Sequence, residues 1–118
     1  MEYLLLIAEE EGIRETWSEE DRRADMEKWF AYTKEIGDSG VLRDGKALHP
    51  SSTATRVRVQ ADGQTLTTDG PFAEAKEIIN GYYLIEVDDL DQAIHWAQKL
   101  PTLGAVEVRP VVDMSEYQ

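Results

Sequence analysis

Apolar and polar positions alternate along this chain in a way that divides it into strands and helices. Positions 3–8, Tyr-Leu-Leu-Leu-Ile-Ala, form a continuous apolar run too short for a helix and suited to a strand covered on both faces. An acidic loop follows, and Ser18 with Asp21 three residues on resembles a capping box that opens a helix. Met26, Trp29, Phe30, Thr33 and Ile36 recur at helical spacing, predicting one apolar face that packs into the core, with a pocket lining as the alternative. Gly37 or Gly40 can end this helix. Positions 41–50 read as a strand interrupted by a turn at Asp44-Gly45. Positions 53–60 alternate, with Val57 and Val59 against Arg56 and Arg58, and a turn at Ala61-Asp62-Gly63 leads into positions 64–68, where Leu66 is the apolar anchor. This is a hairpin pattern. Positions 81–87 give another strand, with Tyr82, Leu84 and Glu86 on one side and Tyr83, Ile85 and Val87 on the other. Asp89 caps a second helix whose buried face is Leu90, Ala93, Ile94, Ala97 and Leu100, closed by Pro101. Positions 106–112 form the last strand, and 113–118 read as a loose tail.

The order is strand, helix, strand with an added hairpin, strand, helix, strand. Two such units with both helices on one face of a mainly antiparallel sheet define a ferredoxin-like α+β fold. The helices leave the other sheet face bare. Because the first strand is apolar toward both sides, that bare face is expected to be an association surface, giving a homodimer with its sheets face to face.

Composition narrows the partners. The chain has 118 residues, consistent with one domain spanning 1–118. Its 24 acidic and 12 basic residues give a net charge of −12, which disfavours nucleic acid and anionic membrane surfaces. The absence of cysteine excludes disulfides, zinc–thiolate sites and thiol nucleophiles, and no metal site or cofactor is expected. The N-terminal apolar run lacks a positive flank and is too short to span a bilayer, so a cytoplasmic location is expected.

The candidate chemistry centres on positions 68–77, Thr-Asp-Gly-Pro-Phe-Ala-Glu-Ala-Lys-Glu. Gly70 and Pro71 restrict the backbone, Asp69 can bond its own downstream backbone, and Glu74, Lys76 and Glu77 bring charges close by. We expect a short helix here, opened by Pro71 and capped by Gly70 or Asp69. Asp69 and His49 are the candidate acid/base groups; Asp69, Phe72, Lys76 and Arg109 are the candidate ligand-binding residues; and Gly70, Pro71 and Glu74 shape the loop. His49 stands at a strand end before Pro50, whereas His95 reads as a helix-surface residue. Arg109 can bind an anion on the bare face, or it can pair with Glu107 or a partner subunit. No glycine-rich phosphate loop or G-x-S-x-G elbow is present.

These residues carry a family resemblance. The stretch 68–77, followed by Gly81-Tyr82-Tyr83-Leu84-Ile85, together with Tyr3-Leu4-Leu5-Leu6-Ile7 and Val106-Glu107-Val108-Arg109-Pro110-Val111, resembles the DGPF branch of the YCII-related family over nearly the whole chain. The resemblance implies a ferredoxin-like subunit forming a dimeric α/β barrel, and a link to an extracytoplasmic-function sigma factor. A related branch resembles small dehydrochlorinating or lyase-like enzymes that use a histidine–aspartate pair with the histidine on the first helix. No histidine precedes His49 here, so that pair does not carry over. Three readings follow. The first is a binder of a small polar or anionic organic molecule near the Asp-Gly-Pro-Phe loop, with lyase-like or proton-transfer chemistry. The second is a non-catalytic regulatory or interaction protein. In the third the loop is purely structural.

Overall fold

The alternation along the first strand decides which side of the sheet is covered. In the computed structural model, which describes residues 1–70 and 76–118, β1 (Glu2–Glu10) buries Tyr3, Leu5, Ile7 and Glu9 and leaves the residues between them less covered. It is followed by α1 (Glu19–Asp38), β2 (Leu42–Ala47), β3 (Thr55–Val59), β4 (Thr65–Asp69), β5 (Glu77–Glu86), α2 (Leu90–Gln98) and β6 (Ala105–Pro110). The main sheet has the order β2-β5-β1-β6 with every pairing antiparallel, which is the ferredoxin-like arrangement. The core gathers Tyr3, Leu5 and Ile7 with Ile85 and Val87, under Tyr32 and Ile36 of α1 and Ala93 and Leu100 at α2. Burying each of its leucine, isoleucine and valine side chains contributes about 1.5–3 kcal/mol. Both helices therefore lie on one face. Each opens as expected: the Ser18 hydroxyl accepts from the Asp21 N–H, and the Asp89 carboxylate accepts from the Gln92 N–H.

Three local expectations are corrected. Asp44-Gly45 is not a turn but lies within β2, where Gly45 stands opposite Tyr83. A Cβ there would sit 3.0 Å from the Tyr83 ring, so the glycine lets that ring approach the strand closely rather than reversing the chain. The irregularity falls instead between Leu42 and Asp44, where the register shifts. On α1, Ile36 is buried and Trp29 packs against the core as expected, but Phe30 is 68% and Met26 52% exposed, and the helix also buries Tyr32, which lies off that stripe. Tyr32 is held by a hydroxyl bond to the Trp96 carbonyl (2.9 Å) and by edge contacts with the Tyr83 and Trp96 rings. On α2, Leu90 and Ile94 are exposed, while Trp96 packs on the core.

β3 and β4 form a separate two-stranded sheet, with Thr55 opposite Asp69 and Val59 opposite Thr65. Its turn is closed by the Gln60 N–H to the Gln64 carbonyl (2.7 Å), with Gly63 at φ +87. Every residue of both strands is exposed. Among the described residues the hairpin forms an arm apart from the main sheet.

Candidate functional site

The buried parity of β1 ends on a charge. Glu9 continues the series Tyr3, Leu5, Ile7 and is only 2% exposed. Its carboxylate is satisfied from three separate segments of the chain. The Arg14 guanidinium donates to both oxygens (2.5 and 3.1 Å), and Asn80 of β5 donates at 2.7 Å. Thr102 and the Leu103 N–H, beyond α2, donate at 2.7 and 3.2 Å. Burial pushes the Glu9 pKa up, but these hydrogen bonds outweigh it and hold the group at about 2. Arg14 also donates through Nε to Asp25 of α1 (2.7 Å) and lies over the Trp17 ring at 5.5 Å. Both carboxylates and burial act on the Arg14 pKa, whose net direction is upward.

This charged cluster forms the floor of a cleft of about 480 Å³ between α1 and the sheet. Met26, Trp29, Phe30 and Thr33 line one wall, and the opposite wall is Gly45, Ala47, Leu48, Gly81 and Tyr83. Thr33 and Tyr83 bridge the walls by a hydroxyl–hydroxyl bond of 2.6 Å. Lys46 and Tyr82, a cross-strand pair, border the cleft where the sheet ends at β2. Four of the five residues of the α1 stripe thus take the pocket-lining role that was the alternative to core packing, while Ile36 stays in the core. A second cavity of about 350 Å³ shares Glu9, Arg14, Leu48 and Asn80 with the first and is otherwise lined by the acidic loop 10–15, Arg22, His49, Pro50 and Ile78.

The two carboxylates in the cleft differ in what they have left to offer. Glu9 accepts five hydrogen bonds and has no capacity for a ligand. Asp25 is mostly buried and uses Oδ2 for Arg14, while among the described residues its Oδ1 accepts none. Arg14 commits Nε and both ends of its fork to protein carboxylates, so it is not an anion receptor.

The residues singled out from sequence are dispersed. His49 lines the smaller cavity and is exposed. Asp69 is exposed at the root of the arm and accepts from the Thr55 hydroxyl at 3.2 Å. Gly70 donates to the Ala54 carbonyl (2.8 Å), and a Cβ on it would lie 2.2 Å from the Ser51 carbonyl oxygen. Only glycine fits there. Lys76 is exposed just before β5. Arg109 pairs with Glu107 at 2.7 Å, and its register opposite Leu4 puts it on the sheet face away from both cavities. Pro71, Phe72 and Glu74, with the short helix expected over them, lie outside the described residues. His95 is exposed beside the Trp96 ring. Asp25 escaped attention because it is one of 24 acids, although it stands four residues before Trp29 and eight before Thr33, on the cleft-lining face. Glu9 was signalled by parity alone.

Among the described residues no group of three or more His, Asp and Glu could hold a metal ion, and no helix is long and apolar enough to cross a membrane.

Sheet order, helices on one face and a cleft beneath the first helix define the class: a small ferredoxin-like α+β domain. The family model of the YCII-related domain matches residues 1–115. Uncharacterized protein R00369 of Rhizobium meliloti (strain 1021) is 36% identical over 115 residues, covering 94% of this chain and 92% of that protein. The chain belongs to the YCII-related family.

Proposed function

We propose that the cleft under α1 binds a small, largely apolar organic molecule carrying a hydrogen-bond-donating head, such as an amine or hydroxyl, and that Asp25 receives that head. The observation that carries this reading is the unshared Oδ1 of a mostly buried carboxylate in an aromatic-walled cleft. A neutral or cationic head suits the site better than an anionic one, because Arg14 is already committed and Arg109 faces the other way. Proton transfer is the chemistry such a site is best equipped for, with Asp25 as acceptor. The Asp-Gly of the 68–77 stretch then serves mainly to close the root of the arm.

A thermal-shift screen of aromatic fragments bearing amine, hydroxyl or carboxylate heads tests the proposal. At ten times its Kd a ligand adds about 1.4 kcal/mol, or roughly 5 °C in Tm for a chain of this size. Donor-headed fragments should stabilise the wild type and lose that effect in Asp25→Ala and Trp29→Ala. Equal stabilisation of Asp25→Ala would remove Asp25 from the site. A protein acting only through its acidic surface, toward a sigma factor or another basic partner, would respond to no fragment.

We also propose that the open sheet face pairs with a second copy of the chain. Leu4, Leu6 and Leu84 occupy its centre, and each edge strand contributes one acid and one base there, Asp44 and Lys46 on β2 and Glu107 and Arg109 on β6. A patch with both signs on each rim is self-complementary, as a two-fold interface requires. Leu6→Arg should yield a folded monomer by sedimentation, and an unchanged dimer would refute this face.

A further inference from the structure

Alternation along β5 turns Gly81, Tyr83 and Ile85 toward the core and would turn Asn80 to the open face with Tyr82 and Leu84. Asn80 does not go there. The pairing of β1 with β5 slips by one residue, from Ile7 opposite Gly81 to Ala8 opposite Ile79, so Asn80 is the extra residue of a bulge. The bulge carries its side chain to the covered face, where Nδ2 donates to Glu9 at 2.7 Å. The backbone is fixed by the Leu48 N–H, which donates to the Asn80 carbonyl at 2.8 Å. Gly81 beside it leaves room for β2, since a Cβ there would sit 3.0 Å from the Lys46 carbonyl oxygen.

Glu9 also decides how the Asn80 amide is turned. An ionised carboxylate only accepts, so the amide must offer Glu9 its nitrogen and keep its oxygen for something else. Among the described residues, Asn80 Oδ1 accepts no hydrogen bond, and no buried polar side-chain atom lacks a partner, so this oxygen reaches open space. The space that Asn80 lines is the two cavities, whose linings share Glu9, Arg14, Leu48 and Asn80. Asp25 Oδ1, from α1, is the other open acceptor of the cleft. Charge there favours a cation. Glu9 and Asp25 against Arg14 leave the cluster one negative charge, and Lys46 is exposed at the border. The smaller cavity adds Glu10, Glu11 and Glu15 against Arg22, whose guanidinium is taken by the Arg14 and Glu15 carbonyls.

We propose that Asn80 is the specificity-determining residue of the cleft, and that with Asp25 it selects a primary ammonium head over a tertiary one. A primary ammonium has three N–H donors and serves both oxygens at once. A tertiary ammonium has one donor, which satisfies Asp25 and leaves the Asn80 oxygen desolvated without a partner. This inference rests on the reading that Asp25 receives the head of the ligand, and narrows that head to a primary amine.

Isothermal titration with 2-phenylethylamine and its N,N-dimethyl form tests it. The wild type should bind the primary amine at least about tenfold more tightly, the worth of one charge-assisted hydrogen bond. Asn80→Leu keeps a side chain of similar shape without the acceptor, and Asn80→Ala removes both. Glu9 keeps its bonds from Arg14, Thr102 and Leu103 in each variant, and circular dichroism checks the fold. Both variants should bind the two amines about equally. A preference retained in Asn80→Leu would place the discrimination in the size of the cleft and overturn the role of Asn80. Equal affinities in the wild type overturn it without any variant. If Asp25→Ala then loses both amines, the cleft reading stands and only the role of Asn80 falls. A wild type that binds neither amine overturns both.

Discussion

Glu9 and Asp25 share one arginine yet have opposite roles. Glu9 is saturated and locked in its ionised form, so it ties β1, β5 and the segment after α2 together rather than reacting. Removing its counter-ion should be costly: Arg14→Met leaves a buried, uncompensated carboxylate and is expected to lose about 3–5 kcal/mol in chemical denaturation. The pH dependence has a definite sign. A folded-state pKa near 2, below the usual 4.5, means that the contribution of Glu9 is fully present above pH 4.5 and is lost as pH falls toward 2. Denaturation midpoints measured across that window should fall less steeply for Glu9→Gln than for the wild type. Equal slopes would mean that Glu9 is not held ionised by its partners. Neither carboxylate stood out from the sequence, because hydropathy treats every charge as surface. Glu9 was marked only by falling on the buried parity of β1, and Asp25 only by its spacing to Trp29.

At the scale of elements, the strands and helices could be read from the chain because alternation, helical spacing and the Ser18 and Asp89 caps all act locally. What the pattern missed depended on distant neighbours. Asp44-Gly45 has the composition of a turn, but pairing with β5 makes Gly45 the space into which Tyr83 fits. Gly45→Ala should thus force Tyr83 to shift and cost about 1–3 kcal/mol, although nothing in β2 itself demands glycine. The α1 stripe reads as core because spacing reports a shared face, not what covers it, and here the sheet draws away to leave the cleft. Gly70 is the counterpart in the arm. Gly70→Ala drives a methyl into the Ser51 carbonyl oxygen, so amide exchange of 55–69 should lose protection while β1 and β5 keep theirs. Unchanged exchange in the arm would show that its root tolerates a side chain.

For the whole molecule, the sheet divides the work. One face carries both helices, the core and the cleft, while the other carries the apolar centre and the mixed-charge rims proposed to meet a second copy. The ferredoxin-like arrangement was legible from element order alone, since two strand–helix–strand units leave few ways to cover one sheet. The site was not legible, because it is assembled from β1, the loop carrying Arg14, α1, β2 and β5, residues far apart in sequence with no motif between them. The central claim, that the cleft is where this protein binds, is open to one direct measurement. The chain has three tryptophans, and only Trp29 lines the cleft, with Trp17 beside Arg14 and Trp96 on the core. In a titration of the wild type with a donor-headed aromatic fragment, followed by the indole N–H resonances, Trp29 should shift and saturate while Trp96 stays in place. Saturable shifts confined to residues of the open face or the arm, with Trp29 unmoved, would contradict the account.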